Sequence, residues 1–327
     1  MKREEIVQML SDSDDYVSGQ EICEHFGVSR TAVWKAIKQL EKDGYKIEAI
    51  SNKGYRLLEN DDMMSGIEIT RCMETAIYGR NLIFHKETDS TNLDAKRLGE
   101  DGAPEGTLVV ADQQTAGRGR RGRTWISPAG ESIYMTILLR PDCEPGQVSS
   151  VTLVMALAVM EAIKELTSAE CGIKWPNDVV INEKKVCGIL TEMSLDMDSI
   201  HYVVVGTGIN VNQKSFAEEI VQTATSLAIE LGKTVNRNKL VSRVMYFFEK
   251  NYEVYKQTYD LSGLVDKYND YLINRGKEVR VLDPKGEFDG IALGIDNRGQ
   301  LLVKKDDETV VEVYAGEVSV RGIYGYV

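Results

Sequence analysis

The chain has 327 residues, with 43% apolar and 28% charged side chains, 39 Lys and Arg against 51 Asp and Glu, and a net charge of −12. This is the composition of a folded protein of two or three domains and excludes a disordered chain. The acidic balance argues against a bulk coat for nucleic acid or anionic membrane. The charge is uneven, however: residues 28–56 hold seven basic and three acidic side chains, a local +4 that leaves −16 on the rest. Five scattered cysteines form no C-x-x-C pair, and His25, His85 and His201 have no metal-ligand spacing, so neither a disulfide framework nor a zinc site is expected. The charged start is no signal peptide, and the greasiest run, Val151 to Met160, is too short to span a bilayer. A cytoplasmic protein with no membrane association is the expectation.

In chain order, Ser18-Gly19-Gln20-Glu21 has capping-box spacing and opens a short helix that ends at Gly27. Ser29 can cap a second helix with Val33, Ala36, Ile37 and Leu40 on one face and Thr31, Trp34, Lys35 and Lys38 on the other. Two strand-like runs follow, Tyr45 to Ile50 and Gly54 to Leu58, around a turn bearing Lys53. Helix-turn-helix plus hairpin plus local positive charge predicts a winged-helix DNA-binding domain over residues 1–62. Its reading residues would be Arg30, Thr31, Trp34, Lys35 and Lys38, with Lys53 on the wing. Residues 59–62, Glu-Asn-Asp-Asp, read as a linker.

The middle of the chain, residues 67–274, alternates strands and helices. Asn81 to His85 is strand-like, the polar turn Thr88 to Asn92 leads into a helix, and Thr107 to Ala111 is a strand. Gly117 to Arg123 then packs four arginines and three glycines into seven residues, followed by Trp125. The G-x-G-x-x-G match is rejected as a dinucleotide fingerprint, because a loop and not a helix follows it. Clustered guanidiniums repel one another, so this loop should be mobile when empty and ordered by an anion that accepts bidentate bonds. Trp125 offers a flat face to a purine. The apolar helix Val151–Leu166, a strand near Ile173, Lys174-Trp175-Pro176-Asn177-Asp178, strand Val179–Ile181 and the run Lys185 to Leu190 follow. His201 to Val205 leads into Gly206-Thr207-Gly208-Ile209-Asn210. Asn236–Tyr259 and Leu261–Ile273 read as helices. From Gly276 on, Val279–Leu282, Phe288–Ile295, Leu301–Lys304 and Val310–Val313 alternate around polar turns, which suits a small SH3-like barrel over residues 275–327.

The Gly-Arg loop with Trp125, followed by K-W-P-N-D, Lys185 to Leu190 and G-T-G-I-N, resembles the biotin–protein ligases over nearly the whole chain. With the winged helix in front, it is similar to the bacterial members that are also repressors of biotin genes. The resemblance implies an α+β fold: a winged helix-turn-helix, a central mixed β-sheet with helices in a class II synthetase-like ligase core, and the C-terminal SH3-like barrel. It implies that biotin lies against Ser90, Thr91, Asn92, Gln114, Arg118, Gly119, Arg120 and Lys185. The nucleotide would meet Arg118, Arg120, Arg121, Trp125, Asn177, Asp178 and Asn210, with Asp178 helping to hold Mg2+. Lys185 and Arg118 would be the catalytic groups, and Arg118→Gly would release the adenylate. The substrates would be ATP and biotin, and the partners a biotin carboxyl carrier protein, operator DNA and a second copy in a ligand-promoted homodimer. The alternatives are a ligase with no operator role, a biotin sensor that has lost ligation, and a lipoate-handling relative.

Overall fold

A computed structural model describes residues 3–42, 44–58, 63–196, 199–283, 286–314 and 319–322. The linker at 59–62 and the tip of the turn at 284–285 lie outside the described residues. The N-terminal domain is built from α1 (Arg3–Ser11), α2 (Gly19–Phe26), α3 (Arg30–Lys42), β1 (Ile47–Ile50) and β2 (Gly54–Leu57). Ser18 Oγ accepts the Glu21 N–H, and Gly27 closes α2 at φ 64°, as the capping pattern predicts. Ser29 Oγ accepts the Ala32 N–H at 3.3 Å at the start of α3. The apolar face of α3 (Val33, Ile37, Leu40) packs on Ile22 and on Ile6, Val7 and Leu10 of α1, a helix that the sequence reading did not anticipate. β1 and β2 form the antiparallel wing. Gly54 sits at φ 129°, and a Cβ there would lie 2.1 Å from the Val17 carbonyl oxygen, so no side chain is tolerated.

The next element is α4 (Gly66–Cys72), also unforeseen. The core sheet follows with β3 (Leu82–His85), α5 (Thr91–Glu100), β4 (Leu108–Ala111), β5 (Ile133–Leu139), α6 (Ser149–Thr167), β6 (Gly172–Lys174), β7 (Asp178–Ile181), β8 (Lys184–Asp196) and β9 (Ser199–Ile209). Strand order is β3-β4-β5-β9-β8-β7-β6, and every pair is antiparallel except β3–β4. The β7–β8 turn puts Asn182 and Glu183 at φ 48° and 63°. This is the two-residue, left-handed geometry that matches strand twist.

α6 is longer than its greasiest run. At 19 residues it has the length and apolarity of a membrane span, yet it is mostly buried against the sheet as a core helix. The chain continues with α7 (Leu227–Leu231), α8 (Arg237–Tyr255) and α9 (Val265–Tyr271). α8 packs alongside α6 on the same sheet face.

The period-two alternation of the sheet decides where the site can lie. Ile133, Met135, Ile137 and Leu139 of β5, with Cys187 and Ile189 of β8 and Val203, Val205 and Ile209 of β9, point into the core under α6 and α8. The intervening residues therefore face the α5 side, where Ala95 packs on Val109, Leu138, Tyr202 and Val204. The register lines them up in rows: Tyr134, Gly208 and Gly188, then Thr136, Gly206 and Leu190.

The C-terminal strands β10 (Glu278–Leu282), β11 (Phe288–Ile295), β12 (Leu301–Lys304), β13 (Val310–Val313) and β14 (Ser319–Gly322) form an antiparallel five-stranded sheet in the order β13-β12-β11-β10-β14. Three of these strands keep the bounds expected from the sequence, and β14 is an addition. Val279, Val281, Ala292 and Leu301 join the main core. The Trp175 indole N–H donates to the Gly299 carbonyl at 3.0 Å, tying this sheet to the K-W-P-N-D segment.

Candidate functional site

A narrow pocket opens on the α5 face of the sheet and gathers Ser90, Thr91, Asn92, Gln114, Arg118, Gly119, Arg120, Trp125, Asn177 and Lys185. These come from segments up to a hundred residues apart. The pocket adds Tyr134, which no motif named, and Gly188, Ile189, Leu190, Gly206, Thr207 and Gly208, which lie in the sequence motifs but had been given no role. A larger cleft of about 1630 Å³ lies between the winged helix and the core and contains none of the expected site residues.

The start of α5 forms one wall. Ser90, Thr91 and Asn92 are buried, and the Thr91 N–H donates to Gln114 Oε1 at 2.9 Å. Gln114 Nε2 donates to Ser127 Oγ at 2.9 Å, and Ser127 donates to the Trp125 carbonyl. The glycines of the floor are explained by what lies on them. A Cβ at Gly206 would sit 1.9 Å from Asn92 Oδ1, and one at Gly208 would sit 2.6 Å from the Trp125 indole. A Cβ at Gly188 would meet Lys185 Nζ at 2.8 Å and the same indole at 2.9 Å. The G-T-G pattern is thus a flat landing surface. The indole lying on it leaves only about 50 Å³ free, well below the ~300 Å³ at the small end of ligand sites. The Trp125 indole thus occupies the space over Gly188 and Gly208.

The arginine loop is pinned at its base and open at its tip. Gly119 N–H donates to the Arg123 carbonyl at 2.7 Å, and Trp125 N–H to the Gly117 carbonyl at 2.9 Å. Arg121 occupies the left-handed region at φ 58°. Arg118, Arg121 and Arg123 are exposed. Arg120 is different: it is half-buried, and its Nη1 donates to Asn177 Oδ1 at 2.9 Å. Burial lowers its pKa from the ordinary value, opposed by the charge of Asp178. Lys185 Nζ pairs with Asp178 Oδ1 at 2.6 Å and stands 5.3 Å from the centre of the Trp125 ring. Two cations, Arg120 and Lys185, therefore flank Asn177 and Asp178 across the pocket mouth.

Three expected residues fall off the lining. Arg121 is exposed and does not line the pocket, and Asp178 stands behind Lys185 as its counter-ion. Asn210 is buried and donates from Nδ2 to the Thr225 carbonyl at 3.1 Å, so it braces the segment after β9. Among the described residues, no group of three His, Cys, Asp or Glu side chains could hold a metal ion. The donor set does not fit a resident metal cage. On the winged helix, Arg30, Thr31, Trp34, Lys35 and Lys38 are exposed on one side of α3, as expected. Arg30 donates to Gln20 at 3.1 Å, Lys38 pairs with Glu41 at 2.6 Å, and Lys53 lies over the Tyr16 ring at 5.5 Å.

Residues 84–210 match the biotin/lipoate A/B protein ligase family, residues 2–56 a helix-turn-helix domain, and residues 276–321 the biotin protein ligase C-terminal domain. Over 97% of its length the chain is 40% identical to the bifunctional ligase/repressor BirA of Bacillus subtilis (strain 168), of which it covers 98%. The chain belongs to the biotin–protein ligase family. A biotin–protein ligase from Mycobacterium tuberculosis, named biotin–[acetyl-CoA-carboxylase] ligase, is 35% identical over 73% of this chain and 88% of its own. Among solved structures, the biotin protein ligase of Aquifex aeolicus in complex with biotin and ATP superposes with a TM-score of 0.65 at 36% identity, covering 74% of this chain and 99% of that one. The three matched domains agree with the architecture read from the sequence: helix-turn-helix, mixed-sheet core and C-terminal antiparallel sheet.

Proposed function

We propose that this protein joins biotin to ATP to form biotinyl-5′-AMP, transfers the biotin to a lysine of a carrier protein, and represses biotin genes in response to the same intermediate. The observation that carries this reading is the convergence of Arg120 and Lys185 on one mouth of a pocket with a buried polar wall. In the first step a carboxylate oxygen of biotin attacks the α-phosphorus of ATP and expels pyrophosphate. Two anions must meet, and fixed cations lower that barrier without any proton transfer. Lys185, held at the mouth by Asp178, exchanges this carboxylate for the incoming anions. Arg120, fixed by Asn177, neutralises the charge that develops on the phosphate. Arg118 and Arg121 supplement it from the loop.

Biotin lies against Ser90, Thr91, Asn92 and Gln114, and the Trp125 indole covers the purine. Asn210 acts through the segment it braces. Because Asp178 is committed to Lys185 and no cage is present among the described residues, magnesium is assigned to the substrate as MgATP. In the second step the neutral lysine amine of the carrier attacks the biotinyl carbonyl. AMP leaves, and a closed loop shields the anhydride from water until then.

The exposed face of α3, with Lys53 on the wing, supplies the operator contacts, and a ligand-promoted homodimer would place two such faces on two half-sites. Five free thiols suit a reducing cytoplasm. The test is biotin-dependent exchange of labelled pyrophosphate into ATP, followed by transfer of radiolabelled biotin to a carrier domain. Exchange without transfer would remove the ligase half, and lipoate competing as well as biotin would reassign the substrate. Unchanged binding to a biotin-gene promoter duplex with and without biotin and ATP would remove the repressor half.

A further inference from the structure

Asn92 is held from three sides beneath the pocket. Its Nδ2 donates to Glu192 Oε2 at 2.8 Å and to the Leu190 carbonyl at 3.4 Å, and its Oδ1 lies 2.7 Å from Thr136 Oγ1. Glu192, on β8, pairs with Lys96 at 2.6 Å. Burial alone would raise the Glu192 pKa, but the hydrogen bonds from Asn92 and Lys96 and the charges of Lys96 and Arg118 outweigh it and hold the carboxyl below its ordinary value. An ionised carboxylate only accepts hydrogen bonds. Asn92 must therefore turn its NH2 to Glu192 and its carbonyl oxygen to Thr136. That oxygen has no proton, so it accepts from the Thr136 hydroxyl, which also reaches the Thr91 hydroxyl oxygen at 2.8 Å; Thr91 in turn donates to Gln114 Oε1 at 3.1 Å. Were Asn92 flipped, its NH2 would donate to Thr136. Its carbonyl oxygen would then face the Glu192 carboxylate and the Leu190 carbonyl with no proton between them, and Thr136 would lose its acceptor on Asn92. Gly206 presses so closely on Asn92 that the amide can reverse only in place.

We propose that Glu192 is a positioning residue for the biotin pocket: by fixing the orientation of Asn92, it keeps the Asn92 oxygen on Thr136 and so holds the Thr136–Thr91–Gln114 hydrogen-bond chain that shapes the polar wall of the pocket. The inference rests on the reading of this pocket as the biotin site. Neither composition nor motif pointed to Glu192, and it acts through Asn92 without touching the ligand. Replacing it by Gln keeps the shape and reverses the polarity. Lys96 would take the new side chain's oxygen, so its NH2 would face Asn92 and drive the flip.

The test is biotin-dependent pyrophosphate exchange by the full chain, with separate titrations of biotin and ATP. Glu192→Gln should raise the KM for biotin about tenfold, the effect of one misdirected buried hydrogen bond, and leave the KM for ATP and the thermal midpoint unchanged. Adding Asn92→Asp to Glu192→Gln offers a carboxylate to both neighbours, restores the Thr136 orientation and should recover much of the biotin KM. Lys96→Met leaves the carboxylate but removes its cation, so as pH falls through the carboxylate range its biotin KM should rise more steeply than the wild type's, which rises only with protonation of biotin itself. The inference is overturned if Glu192→Gln stays within about twofold of wild type, if both KM values rise together, if the double variant is no better than the single, or if Lys96→Met shows no such pH dependence. Absence of exchange by the wild type would instead overturn the biotin reading, and this inference with it.

Discussion

The floor of the pocket and the loop above it use opposite strategies. The floor is made of β5, β9 and β8, with side chains fixed by register, glycines where neighbours rest, and buried polar atoms joined to one another. The loop at 117–125 is pinned by a few backbone hydrogen bonds, carries three exposed arginines and rests its indole where a ligand should lie. A rigid floor supplies recognition, because its donors and acceptors are set before the ligand arrives. A weakly held cover supplies retention, since it must leave and return with each turnover. The two regions should therefore fail in different ways when altered.

The largest effect should come from Lys185→Ala. Removing a preorganised charge at the reacting centre costs about 10²–10³ in rate, read as the initial velocity of biotin-dependent pyrophosphate exchange. The same variant should keep its thermal midpoint, because Lys185 is a partly exposed residue of the mouth and not of the floor.

Two glycine substitutions sharpen the contrast. Gly206→Ala places a Cβ 1.9 Å from the buried Asn92 oxygen, and overpacking of this kind costs about 1–3 kcal/mol, visible in denaturant unfolding. Gly208→Ala collides with the movable Trp125 indole instead. It should leave unfolding close to wild type and perturb the emission of the tryptophans. Equal destabilisation by the two would erase the distinction between floor and cover.

Arg120→Gly comes next. It removes the loop's anchor to Asn177 as well as a cation of the first step, so it should slow exchange less than Lys185→Ala does and raise the share of labelled biotinyl-adenylate that appears in free solution. Arg118→Gly, which the resemblance had put forward, should leak less, because Arg118 is exposed and Arg120 is the arginine held against Asn177.

Much of this was legible beforehand because local signals were strong. The capping serines and Gly27 bounded the helices of the winged domain, and the alternation of β11 to β13 set the C-terminal strands. The members of the pocket wall came from motifs. What was not legible depended on register. Thr136 sits in the run Ile133 to Leu139, which reads as uniformly apolar until the pairing with β9 turns alternate residues toward α5. Glu192 lies on β8 two residues beyond the Lys185 to Leu190 run, outside the motif itself. Four arginines in seven residues announce an anion, yet only the fold shows that Arg120 reaches Asn177. α1 and α4 are nine and seven residues long, too short for a clear helical period to stand out.

Amide hydrogen exchange, measured on the full chain with and without biotin plus ATP, tests the division between floor and cover most directly. Slowed exchange concentrated in residues 117–130, over β5, β8 and β9 strands already protected without ligand, is the predicted result. Protection that appears in the strands while the arginine loop exchanges as fast as before would contradict it.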